Sequence, residues 1–189
     1  MNRKETSSHV KLVAEKLNEI INTHLTTTAK LSYTSEPQME EKDIIEYDSR
    51  MRISPMENFN APCVISVVNF FASENDKKAQ KAQGALVTYI EYENANRFLK
   101  LTGSKIKPDD DDDITEECSG KFCKTLAEDL VSRVEPEMFG HLILSEPASF
   151  TNNVPGGVLF HYDEYKLYEL NYFLWKEKIF SADITMATK

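Results

Sequence analysis

The stretch "SGKFCKTLAEDL", Ser119 to Leu130, reads as the middle of a long amphipathic helix. Ile114, Cys118, Phe122, Leu126 and Leu130 recur at spacing four, with Thr125 and Val134 beside them, so the helix is predicted from Asp111 to Val134. Lys121 and Lys124 fall three residues apart on the exposed face. Glu117 stands four residues before Lys121, and Glu128 four residues after Lys124. Carboxylate and ammonium at that spacing meet on a helix surface, most favourably with the glutamate first. The lysines are therefore either salt-bridged surface or a working pair. The rest of the chain decides what kind of domain carries them.

Ahead of this helix, "SSHVKLVAEKLNEIINTHL" puts Val10, Val13, Ala14, Leu17, Ile20, Ile21 and Leu25 on one helical face, with Ser7 or Ser8 as N-cap. "TAKLSYTS" reads as a strand with Leu31 and Tyr33 on one side. Residues 35–60 read as an extended segment or strand pair, "DIIEY" and "MRISP", flanked by a polar loop at "SEPQMEEK". "APCVISVVNFFAS" is a strand apolar enough to be covered on both faces, and "GALVTYIEY" answers it across a polar connection. "ENANRFLKLTG" is a short helix with Ala95, Phe98 and Leu99 inward, closed by Gly103.

Beyond the long helix, "GHLILSEPASF" is predicted as a strand ending near Pro147. "TNNVPGG" is a turn cluster, "VLFHYDEY" a strand, and "KLYELNYFLWKEKIF" one last long strand. The order of helix, strands, short helix, long helix and strands gives an α/β (α+β) domain over 1–189. Within it, 35–60 and 104–113 read as insertions or linkers.

Composition narrows the function. The formal net charge is −9, which excludes nucleic acid and anionic membrane as main partners, since both need a basic footprint. The longest apolar runs fall short of the ~18 residues of a membrane span. The N-terminus has no apolar signal-peptide core, so a cytoplasmic location is expected. Three cysteines without CxxC spacing argue against a disulfide framework and a structural zinc.

Asp109 to Asp113 lack the alternation and glycine of a calcium loop and read as a solvated helix start. His9, His24, His141 and His161 show no zinc spacing, and His141 and His161, on predicted strands, are expected to be structural. No nucleophile elbow or phosphate loop is present, and no cofactor or metal is expected. Cys118 is expected to be buried and inert, while Cys123 has no assigned place.

In their order along the chain, three segments resemble the CheX/CheC-like family of chemotaxis phosphatases. "GALVTYIEYENANRFLKLTG" is similar to the family's Gly-led strand and short helix. "SGKFCKTLAEDL" is similar to its long helix with a G-E-x-x-N core, and "LILSEPASF" to the strand running into a proline. The resemblance implies a mainly antiparallel sheet packed against a long N-terminal helix and a long central helix, a homodimer, and a receiver-domain partner.

In that family the helix asparagine orients the attacking water and the glutamate pairs with a receiver lysine. Aligning Gly120 with the family glycine puts Lys121 at the glutamate and Lys124 at the asparagine. A rival register makes Glu117 the glutamate, with Gly120 at the asparagine. Neither supplies the amide, which both donates and accepts hydrogen bonds where a lysine only donates. The resemblance thus implies a binding module of chemotaxis or two-component signalling without the usual phosphatase pair, its face formed by Lys121, Lys124, Glu117 and Glu128. The alternatives are an active phosphatase using Glu117 or Glu116, and a small-ligand-binding or structural protein that shares only the fold.

Overall fold

Two long helices lie on one face of a seven-stranded antiparallel sheet. The computed structural model describes residues 3–48, 51–55, 62–134, 136–152, 157–160 and 166–188. Helix α1 (Arg3–Asn22) continues through a π-turn, Thr23–Thr28. Strands β1 (Tyr33–Asp43), β2 (Ile45–Asp48), β3 (Met51–Pro55) and β4 (Cys63–Phe71) follow, then the short helix α2 (Glu74–Lys78) and β5 (Gly84–Glu91). Next come α3 (Ala95–Leu101), α4 (Asp112–Arg133) and α5 (Pro136–Phe139). Strands β6 (Ile143–Leu144), β7 (Ala148–Asn152), β8 (Gly157–Phe160), β9 (Lys166–Leu174) and β10 (Glu177–Met186) complete the order.

The main sheet runs β1-β9-β10-β5-β4-β6, with β7 also on β4, and β2-β3-β8 form a second sheet. Helix α1 packs on β9, β10 and α4, and α4 packs on β4, β5 and β7. All seven apolar residues read on α1 are buried, at 0–1% exposure, as their mixed spacing of three and four requires. Aromatic rings tie the helices to the sheet: Phe98 stacks on Phe180 at 5.3 Å, and Phe122 meets both edge-on at 5.7 Å. The opposite sheet face carries a second apolar cluster that includes Cys63, Ile65, Val67, Val87 and Tyr89.

Four sequence readings change. Helix α1 begins at Arg3, ahead of Ser7 and Ser8, so neither serine caps it. The polar run "SEPQMEEK" is most of β1, an edge strand whose exposed charges and Pro37 keep further strands from adding. Pro37 falls where the pairing with β9 shifts register. The "last long strand" is two strands, β9 and β10, joined at Trp175-Lys176. Both turn residues have positive φ, 53° and 72°, as a tight hairpin demands. The Arg97 guanidinium lies over the Trp175 ring, 3.8 Å from its centroid, in a cation–π contact with that turn.

The strand expected to stop near Pro147 resumes beyond it. β6 and β7 both pair with β4, and Ser145, Glu146 and Pro147 lie opposite the two residues Val68 and Asn69. That is a β-bulge with one extra residue, the device by which a strand absorbs a proline and re-aims a side chain. Asn69 grips its near end, its N–H donating to Ser145 Oγ and its carbonyl accepting from the Ser145 N–H, both at 2.9 Å.

Candidate functional site

Helix α4 starts where the aspartate run predicts. Asp111 is its N-cap and accepts the Ile114 N–H at 3.1 Å, Asp112 and Asp113 lie in the first turn, and Asp112 accepts the Tyr92 hydroxyl at 2.7 Å. The inward face differs from the sequence stripe. Thr115, Ser119, Gly120, Phe122, Cys123, Leu126, Ala127 and Leu130 are buried, whereas Ile114 is 38% exposed and Thr125 is exposed. Strict spacing of four advances ~40° per step around a helix of 3.6 residues per turn, so such a row winds off the buried side.

Gly120 sets how closely α4 approaches β7. A Cβ there would lie 2.7 Å from Ser149 Oγ and 3.2 Å from Pro147 Cβ, which explains a glycine in a helix interior despite its cost of ~1 kcal/mol. Beside it, Ser66 Oγ bonds both Ser119 Oγ (2.7 Å) and Ser149 Oγ (2.8 Å), joining α4, β4 and β7. With Gly120 against β7, Lys121 and Lys124 face outward, 69% and 30% exposed at their side chains.

Each outward lysine is paired. Lys121 bonds Glu117, as the spacing predicts, and this hydrogen bond and charge lower the Glu117 carboxyl and raise the Lys121 ammonium from their ordinary values. Lys124 does not take Glu128. Its Nζ lies 2.8 and 2.7 Å from the two oxygens of Glu146, whose carboxyl is lowered in turn. The Lys-before-Glu order is the weaker one on a helix, and the bulge offers a bidentate carboxylate instead. Glu128 is exposed with no ion pair among the described residues. Glu116 turns to the sheet edge and accepts the Thr151 N–H at 2.6 Å.

A groove of about 500 Å³ flanks this face, lined by His24, Ser104, Glu117, Cys118, Lys121 and Phe122 among others. Its lining mixes polar and apolar groups. Cys118 is half-buried in it rather than buried, with desolvation raising its thiol, while Cys123 is fully buried and pushed to about 12. His24 Nε2 lies 2.9 Å from Asp129 Oδ2 and locks the end of α1 to α4. His9 is half-buried, His141 is exposed, and His161 lies outside the described residues. Among the described residues no cluster of His, Cys, Asp or Glu has metal-site geometry, and no helix is long and apolar enough to cross a membrane.

No protein-family model and no curated protein matches the sequence. Solved structures match throughout. The chemotaxis protein CheX from Desulfovibrio desulfuricans superposes with TM-score 0.58 at 13% identity, over 92% of this chain and 98% of its own. CheX from Vibrio vulnificus gives 0.56 at 11%, over 91% and 97%. A chain of the CheX–CheY–BeF3–Mg2+ complex from Borrelia burgdorferi gives 0.53 at 13%, over 92% and 97%. The fold is that of the CheX/CheC chemotaxis proteins. On this CheX-like scaffold α4 contains no asparagine from Asp112 to Arg133. Sequence reasoning missed Glu146 on the same scaffold, because its partner Lys124 lies 22 residues away. The available signal was the Ser-Glu-Pro interruption of a strand pattern.

Proposed function

We propose that the chain is a CheX-like module of chemotaxis or two-component signalling that docks a receiver domain on the outer face of α4 and lacks the family's phosphatase pair. The packing of Gly120 against Pro147 and Ser149 carries this reading. It supports the register in which Lys121 and Lys124 stand at the family's glutamate and asparagine. It disfavours the rival register, whose asparagine position is this buried glycine. The CheX–CheY complex among the structural neighbours supports a receiver as the partner. Ammonium groups suit an acidic phosphorylation pocket, and neither one positions a water as an amide does.

The phosphatase alternative is weaker on geometry. Glu116 is engaged by the β7 backbone and Glu117 by Lys121. Small-ligand binding keeps one supporting observation, the groove beside Cys118. By the same resemblance we propose a single domain over 1–189, acting as a cytoplasmic homodimer.

Loss of phosphate from phosphorylated receiver domains of the same genome tests the main reading, with and without the protein and with a Lys121→Glu, Lys124→Asn variant alongside. The expected outcome is binding without acceleration by the wild type, and acceleration by the variant. Acceleration by the wild type overturns the non-catalytic reading. Absence of binding by both overturns docking.

A further inference from the structure

We propose that Glu146 sets the charge preference of this face: it is a carboxylate lid over Lys124 that an anionic partner must displace. The inference rests on the docking reading and adds a residue to it. The Glu146 side chain is 82% exposed and that of Lys124 only 30%, so the carboxylate is what an approaching surface meets first. Both carboxylate oxygens engage the ammonium, at 2.7 and 2.8 Å. The Lys121–Glu117 pair, by contrast, has two almost equally exposed partners on one helix, 69% and 65%, so neither shields the other.

The backbone holds the lid in place. Glu146 is the middle residue of the bulge, between Ser145, tied to both backbone groups of Asn69, and Pro147, packed against Gly120. Bulges occur where a strand must re-aim a side chain, and this one delivers a carboxylate to the helix position at which the family resemblance puts its asparagine. The surrounding charge makes the lid consequential. Lys77 on α2, anchored at 2.9 Å to the Leu144 carbonyl, adds a smaller charge effect that also lowers the Glu146 carboxyl. Neutralising Glu146 therefore shifts the group formed by Lys77, Lys121, Lys124, Glu117, Glu128 and Glu146 from balanced to one net positive charge, and leaves Lys124 without its carboxylate.

Two readouts test the lid independently. The first needs no partner: acylation of lysines in the folded protein by a small amine-reactive ester, followed by mass spectrometry. Glu146→Gln is expected to speed modification of Lys124 several-fold and leave Lys121 unchanged; equal rates at Lys124 in the two proteins overturn the lid. The second is affinity for the beryllofluoride- and Mg2+-loaded receiver domain. Glu146→Gln is expected to bind about threefold tighter, Lys124→Gln more weakly, and the gain from Glu146→Gln to shrink in the Lys124→Gln background. Unchanged or weaker binding by Glu146→Gln, where the wild type binds, overturns the charge preference. If no protein binds any receiver, the docking reading fails while the acylation rates still decide whether Glu146 covers Lys124.

Discussion

The two faces of α4 obey different constraints. On the inner face Phe122, Cys123, Leu126, Ala127 and Leu130 are buried, Ser119 is buried and bonded to Ser66, and a Cβ at Gly120 would crowd Ser149 and Pro147. On the outer face Glu117, Lys121 and Glu128 are exposed, and the contacts made there are ion pairs at the solvent boundary. For the fold, a substitution inside must satisfy packing, whereas one outside need only stay solvated. A scaffold of this kind keeps its fold at 13% identity to the Desulfovibrio desulfuricans CheX, because the fold constrains the inner face far more than the outer. The fold is thus a poor witness to the chemistry of this face.

The strongest way to break the comparison is Leu126→Ala, which empties a fully buried site between α4 and the sheet. It is expected to lower unfolding stability by ~2–5 kcal/mol in a urea titration, while Lys121→Ala leaves the midpoint where it was. Similar midpoint shifts for the two would erase the distinction between the faces. Gly120→Leu comes next. The side chain has only Ser149 and Pro147 to displace, and overpacking of that kind costs ~1–3 kcal/mol, partly offset by better helix propensity. A neutral or stabilising result would mean that the approach of α4 to β7 is not set by the glycine.

The same contrast explains what the sequence disclosed. On α1 the buried side chains among those described are all apolar, so periodicity found each of them. On α4 half of that face is Thr115, Ser119, Gly120 and Ala127, small residues chosen for close approach, and a hydrophobic pattern does not select them. The eye then follows Ile114 and Cys118, which lie at the margin. The β9–β10 hairpin was hidden for a related reason, because Trp175 and Lys176 carry none of the usual turn chemistry. The outward direction of Lys121 and Lys124 was legible from the helix period alone. Glu146 was not, since the bulge that delivers it is a property of its pairing with β4.

Cysteine alkylation sharpens the comparison without perturbing the fold. Burial pushes the thiols of Cys63 and Cys123 to about 12, while Cys118 is raised less and opens into the groove. Iodoacetamide at pH 8 is expected to modify Cys118 first in the native protein, with Cys63 and Cys123 reacting after denaturation. Early reaction at Cys123 would show α4 lifting from the sheet.

The smallest effect belongs to the outer pairs and concerns pH. Lys124 holds the Glu146 carboxyl below its ordinary value, and Lys121 does the same to Glu117. A carboxyl lowered by folding contributes stability above its unfolded pKa, and that contribution disappears as pH falls through the folded value. Both carboxylates are fully solvated, so screening leaves the contribution slight, and acid unfolding should hardly respond to Lys124→Gln. The carboxyl itself should respond. Followed by NMR, its titration midpoint is expected to rise toward the ordinary glutamate value in Lys124→Gln, with Glu117 unmoved. A Glu146 midpoint indifferent to Lys124 would mean that the pair is not populated in water. The outer face of α4 would then present Lys124 uncovered beside the Lys121–Glu117 pair.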